Sequence, residues 1–208
     1  MFHLRALAAL TLTCTLAGCA GMSEQACLSS DWRTVGFQDG TLGRPVGTIG
    51  SYSKACAEHG VAPDLDAYRA GHAEGVAIYC RASNGFEVGH SGAPYQGVCP
   101  ASMEQAFVDE YDAGRHLYEL ESAVRSIDNQ IASNLRTQER IKKELTGIAA
   151  QMISADTTAE QRIVLVSRTA ELGKRYGELS SQNDALKQER VGHAAELAEY
   201  QQTLASRF

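Results

Sequence analysis

From Leu117 onward, apolar residues recur at alternating spacings of three and four: Leu117, Leu120, Val124, Ile127, Ile131, then Asn134 and Gln138, then Ile141, Leu145, Ile148 and Met152. Such a repeat keeps one stripe of a helix facing a partner helix, so it constrains this part of the chain to coiled-coil packing. Ser102, with Gln105 three residues on, has the form of a capping box and predicts the start of that helix. After the break Ser154-Ala155-Asp156, Thr157 with Glu160 repeats the start signal. A second seam then runs through Leu165, Thr169, Leu172, Tyr176, Leu179, Asn183, Leu186, Arg190, His193, Leu197, Tyr200 and Leu204. Two matched arms around a short break predict an antiparallel helical hairpin of about 50 residues per arm, or about 75 Å at about 1.5 Å per residue. The second arm is the more polar, and Asn183, Arg190 and His193 are candidates to set its register or to face another chain.

Composition changes at the same place. All four prolines and all six cysteines precede Ser102, and glycine becomes sparse after it. The chain therefore divides into a targeting segment (1–18), a cysteine- and glycine-rich head (19–102) and the hairpin (103–208). The expected fold class is mainly α: a small disulfide-stapled helical head followed by a long antiparallel coiled-coil hairpin.

The first eighteen residues have a positive start at Arg5, an apolar stretch from Ala6 to Leu16, and small residues before a cut. That stretch is shorter than the roughly 20 apolar residues a spanning helix needs. Leu16-Ala17-Gly18-Cys19 resembles the lipobox of bacterial lipoproteins, which implies Cys19 as the lipid-bearing first residue of the mature chain. Two or more acyl chains hold a protein on a bilayer in effect permanently, since each buried methylene contributes about 0.8 kcal/mol. By the same resemblance, Ala20 after the cysteine implies the outer membrane, facing the periplasm. An ordinary secretory cut with Cys19 as a spare thiol is the alternative.

Cys14 lies in the signal and Cys19 takes lipid, which leaves Cys27, Cys56, Cys80 and Cys99 as an even set in an oxidising compartment. They read as two disulfides with three possible connectivities. Cys56 with Cys80 is disfavoured, because a turn at Gly60 to Pro63 would leave Cys80 about 25 Å along the next helix. The lean is to Cys27 with Cys56 and Cys80 with Cys99. A zinc site usually shows a close Cys-x-x-Cys pair, and none is present. No cofactor or metal is expected.

Within the head, Gly36 and Gly40 follow Trp32, and Gly71 and Gly75 follow Tyr68, each pair four apart. On helices this spacing makes a smooth face that lets another backbone come close. Asp64 after Pro63 predicts an N-cap, and Gly60 a C-cap. The stretch 84–95 has turn formers every few residues and reads as a loop closed by flanking cysteines. Phe86, His90 and Tyr95 in it form a possible ligand or partner surface, against the favoured reading that they cover a small core.

The order Asp31-Trp32, Gly36, Asp39-Gly40, Gly43, Cys56, Gly60, Pro63-Asp64, Tyr68, Gly71, Gly75, Tyr79-Cys80, Asn84-Gly85-Phe86, Gly89, Gly92, Tyr95 and Gly97-Val98-Cys99 resembles an uncharacterised family of proteobacterial lipoproteins, defined only as a domain of unknown function. The likeness runs from about Cys27 to Leu120. It implies a cell-envelope lipoprotein and no reaction.

The formal charge of -6 gives no basic face for nucleic acid. His59, His72, His90 and His116 are scattered, and no pair has the i, i+4 spacing of metal ligands on one expected helix. His72 with Glu74 and Asp64 with Asp66 come nearest to a cluster and read as solvent-facing charge. No Gly-x-Ser-x-Gly elbow or phosphate-cradling loop occurs, and Ser91 beside His90 lacks the geometry of a nucleophile and its base. Three functions are ranked from these features. The first is a non-enzymatic envelope protein, tied to the membrane by lipid, whose coil binds a protein partner or itself. The second is a binding module for a small cell-wall ligand through 84–95, and the third a hydrolase.

Overall fold

A computed structural model describes residues 22–207, and the lipobox with Cys19 lies outside them. The described residues are helical, without strands: α1 (Glu24–Ser29), α2 (Trp32–Thr41), a 3-10 turn (Val46–Thr48), α3 (Ile49–Ala57), α4 (Leu65–Tyr79), α5 (Ala82–His90), α6 (Ala101–Ile153) and α7 (Ala159–Ala205). They form two compact units, one of residues up to Cys80 with Gln96–Pro100, the other of Arg81–Tyr95 with the chain from Ala101. Residues 81–95 pack against the start of the long helix, where α5 has its close-packing partner, so the second unit reaches back across residue 102.

In the first unit, side chains supply the caps that start the helices. Ser23 accepts from the Ala26 amide, Asp31 from Arg33, and Asp64 from both Asp66 and Ala67. Gly60 takes a positive φ of 70° after α3, as its C-cap role requires. The core gathers Trp32 and Tyr68 around the Cys27–Cys56 disulfide, with Val35, Ile49, Tyr52 and Val61 against it. Cys80 pairs with Cys99. Both disulfides follow the favoured connectivity.

The helices α2 and α4 touch backbone to backbone. A Cβ at Gly36 would overlap the Tyr68 carbonyl, and one at Gly40 the His72 carbonyl; reciprocally, Gly71 and Gly75 face the carbonyls of Arg33 and Phe37. Glycine inside a helix costs roughly 1 kcal/mol against alanine, which this close approach must offset.

The second unit repeats that arrangement. A shift of 49 residues carries Gly36, Gly40 and Gly43 onto Gly85, Gly89 and Gly92, and a shift of 39 carries Tyr68, Gly75 and Tyr79 onto Phe107, Gly114 and Tyr118. Gly85 and Gly89 face the carbonyls of Phe107 and Tyr111, and Gly114 faces that of Phe86. Gly43 (φ 67°) lies against the Tyr79 ring as Gly92 (φ 78°) lies against Tyr118. Even the tether of the following turn recurs. His72 donates from Nε2 to the Arg44 carbonyl at 2.7 Å, and Tyr111 Oη donates to the Ala93 carbonyl at 3.1 Å. The chain therefore holds two copies of one glycine-latched helix pair, α2 with α4 and α5 with α6.

The stretch read as a loop at 84–95 is accordingly the helix α5 followed by a turn. Its glycines are there for close packing, and the packing overrides their low helix propensity.

Beyond the latch, α6 continues and α7 returns along it. Ile141, Ile148 and Leu172 are buried between them, with Leu145, Met152, Leu165, Tyr176 and Leu179. Two start signals are displaced, the first by two residues and the second by one. The long helix begins at Ala101, with Ser102 already in its first turn. The return helix is capped by Thr158, whose hydroxyl accepts from the Gln161 amide while the Gln161 side chain accepts from the Thr158 amide. Thr157 instead donates its hydroxyl to the Gln151 carbonyl, closing the turn.

Candidate functional site

Three places carry polar or exposed groups that a helical scaffold does not by itself require. The first is a buried cluster on the α2/α4 pair. Asp39, 2% exposed, accepts from Tyr68 Oη at 2.7 Å, Tyr52 Oη at 3.3 Å and Arg44 Nη1 at 2.8 Å. Burial, then the bond to this carboxylate, pushes the Tyr68 phenol far up, and burial also raises Tyr52. The bond to Asp39 raises Arg44. The second copy of the pair builds the same latch with Val88, Phe107 and Ala93 in place of Asp39, Tyr68 and Arg44. It has no counterpart of α3. The cluster is thus explained as the fastening of Tyr52, and with it α3, onto the pair.

Beside this cluster a groove of about 450 Å³ is lined by Pro45, Val46, His72, Val76 and the segment 96–100. His72 is buried, not solvent-facing as expected, and its Nε2 is engaged by the Arg44 carbonyl.

The second place is the hairpin seam. Asn134 donates to Asn183 Oδ1 at 3.0 Å, and Gln138 to the Tyr176 carbonyl at 3.3 Å; Gln138 and Asn183 are buried. Arg190 pairs with Asp128 across the two helices. His193 stays on its own helix, 3.4 Å from Glu196. Asn134 with Asn183, and Asp128 with Arg190, thus face each other within the hairpin.

The third place is the turn between α6 and α7. Ile153 is 86% exposed, Ile163 68%, Val164 67% and Val166 54%. The turn itself is well tied: Arg162 donates to the carbonyls of Met152, Ser154 and Thr157. A groove of about 600 Å³ there is lined by Gln151, Asp156, Thr157, Glu160, Gln161, Val164 and Leu165.

The residues singled out in 84–95 do not converge on an open surface. All three are half-buried. Phe86 packs on His90, whose Nε2 lies 3.2 Å from Glu121, and Tyr95 packs on Phe107 and Tyr111 while donating to Glu104. Asp64 is spent as a cap, and His116 stands edge-on to Tyr200. Among the described residues no three His, Cys, Asp or Glu side chains come together to hold a metal, and no helix is long and apolar enough to cross a membrane. Reading the sequence missed the exposed aliphatics of the turn. A signal was available: Ile163, Val164 and Val166 surround the seam residue Leu165, so the first turns of α7 are apolar on more faces than one seam uses.

Both latched pairs, from the Asp31 cap to the middle of the second copy, form one sequence block. Residues 31–116 match the family described as Protein of unknown function (DUF2799). This agrees with the resemblance read from the glycine and cysteine pattern. The DUF2799 match takes in the first copy of the latch and the second as far as Gly114, and stops where the coiled coil begins. No curated protein and no solved structure matches the chain.

Proposed function

We propose that this chain is a membrane-anchored cell-envelope lipoprotein that acts as a non-enzymatic interaction or structural protein through its coiled-coil arm. The observation that carries this reading is the exposure of four large aliphatics at a rigidly tied hairpin turn. Monomeric surfaces scatter such residues singly, whereas a local group of them marks a contact surface. The ligand reading of 84–95 loses support, since Phe86, His90 and Tyr95 are packed within their own unit.

The anchor and the arm are tested together by purification from detergent-solubilised envelopes. Labelling with a palmitate analogue should mark the native chain and vanish in Cys19→Ser. Co-purifying proteins should be lost in Ile163→Ser/Val164→Ser/Val166→Ser. An unlabelled native chain would sink the anchor, and an unchanged set of partners the arm. Truncation at Ser102 is a poor substitute, because it removes Gly114, on which α5 packs, and Tyr118, which lies against Gly92.

A further inference from the structure

We infer that the hairpin turn docks into a concave protein surface whose apolar floor is rimmed by lysine or arginine. This rests on the reading of the arm as an interaction element and names the partner's chemistry.

Of the large hydrophobics exposed in the second unit, Ile153, Ile163, Val164 and Val166 fall within residues 153–166, while Leu135 and Val191 stand apart from them. Leu165 and Met152 are used by the seam. At 100° per residue, Ile163 points away from Leu165, and Val164 and Val166 flank it on opposite sides. The apolar surface therefore wraps the start of α7, and a flat partner could cover only part of it. Shape asks for a receiving pocket.

Charge decides what lines that pocket. Asp156 and Glu160 are both exposed at the turn, and Glu160 lies three and four residues before Ile163 and Val164, on their side of the helix. The cation in the turn, Arg162, is turned inward onto three carbonyls. Arg168, the next cation along α7, is held by Glu144 and Glu171. The rim presented outward is acidic. A second copy docking turn to turn would set these carboxylates against their own kind, and an anionic bilayer would repel them. A partner with a cationic rim gains from the same groups. The tied turn also means little ordering is lost on docking.

The test places a photoreactive residue in the full-length chain in cells, at Val164 and, separately, at Lys174 in the middle of the arm. A discrete protein adduct is expected from 164 and not from 174, and its cross-linked peptide should hold lysine or arginine beside aliphatic residues. Its yield should fall about tenfold in Asp156→Lys/Glu160→Lys and about tenfold in Ile163→Ser/Val166→Ser. Glu160→Gln, which leaves the Thr158–Gln161 cap intact, supplies the charge test should the reversal unfold the turn. An adduct between two copies, an adduct with lipid alone, or a yield indifferent to charge overturns the inference. Adducts from 174 without any from 164 overturn it while leaving the arm reading in place; none from either position overturns both.

Discussion

At the scale of single residues, one amino acid type does opposite things in this chain. A methyl group at Gly40 would meet the backbone of His72, Gly75 and Val76, whereas one at Gly173 would meet nothing within 4 Å. Gly40→Ala must push two helices apart and should lower stability by about 3 kcal/mol or more. Gly173→Ala should raise it by about 1 kcal/mol through helix propensity alone. Thermal or urea unfolding of both variants reads the difference, and equal effects would remove the latch from the account of this fold. Tyr68 supplies a second prediction at this scale. Its phenol is held above the ordinary value of about 10, so the native state favours the protonated form. Stability from this source is complete below about pH 10 and is lost as the pH rises beyond it, since the unfolded chain ionises first. Urea unfolding between pH 8 and 11.5 should show that fall, and Tyr68→Phe should flatten it.

At the scale of elements, the hairpin is the part most readily read from sequence, because its spacing of three and four repeats through many turns and averages over local exceptions. Asn134 and Asn183 are two of those exceptions, and they meet. Asn183→Ala strands the Asn134 amide in a part-buried seam and should cost about 1–3 kcal/mol. Asn134→Leu/Asn183→Leu should recover that loss or exceed the native stability while loosening register, which disulfide cross-linking between engineered cysteines along α6 and α7 can follow. A double variant locked in the native register would deny the pair that role. The caps were readable to within two residues; Thr157 and Thr158 both suit an N-cap, and the Gln161 side chain decides between them. The helix α5 was hidden for a different reason. Gly85 and Gly89 with Asn84, followed by Gly92 and Pro94, have the composition of turns, and what makes residues 82–90 helical is contact with α6 further along the chain.

At the scale of the whole molecule, the duplication is plain once the two helix pairs are compared and concealed before that. Gly36-Phe37 and Gly85-Phe86 each open a run of glycines three or four apart that ends two residues before a proline, Pro45 or Pro94. The partner helices obey a different shift, so a search at one fixed period passes over the match. The disulfides were readable because four cysteines in one segment leave few pairings, and geometry removed one of them. The exposed turn was not, since the apolar seam offers a ready home for any aliphatic nearby. The two shifts, 49 and 39, differ by ten residues, and α3 with its nine residues sits in the longer crossover. Crossover length is thus a free parameter of this architecture: the latch specifies how two helices meet and tolerates an additional helix between them, which makes the bridge between the latched helices the place where such a scaffold can take on new parts.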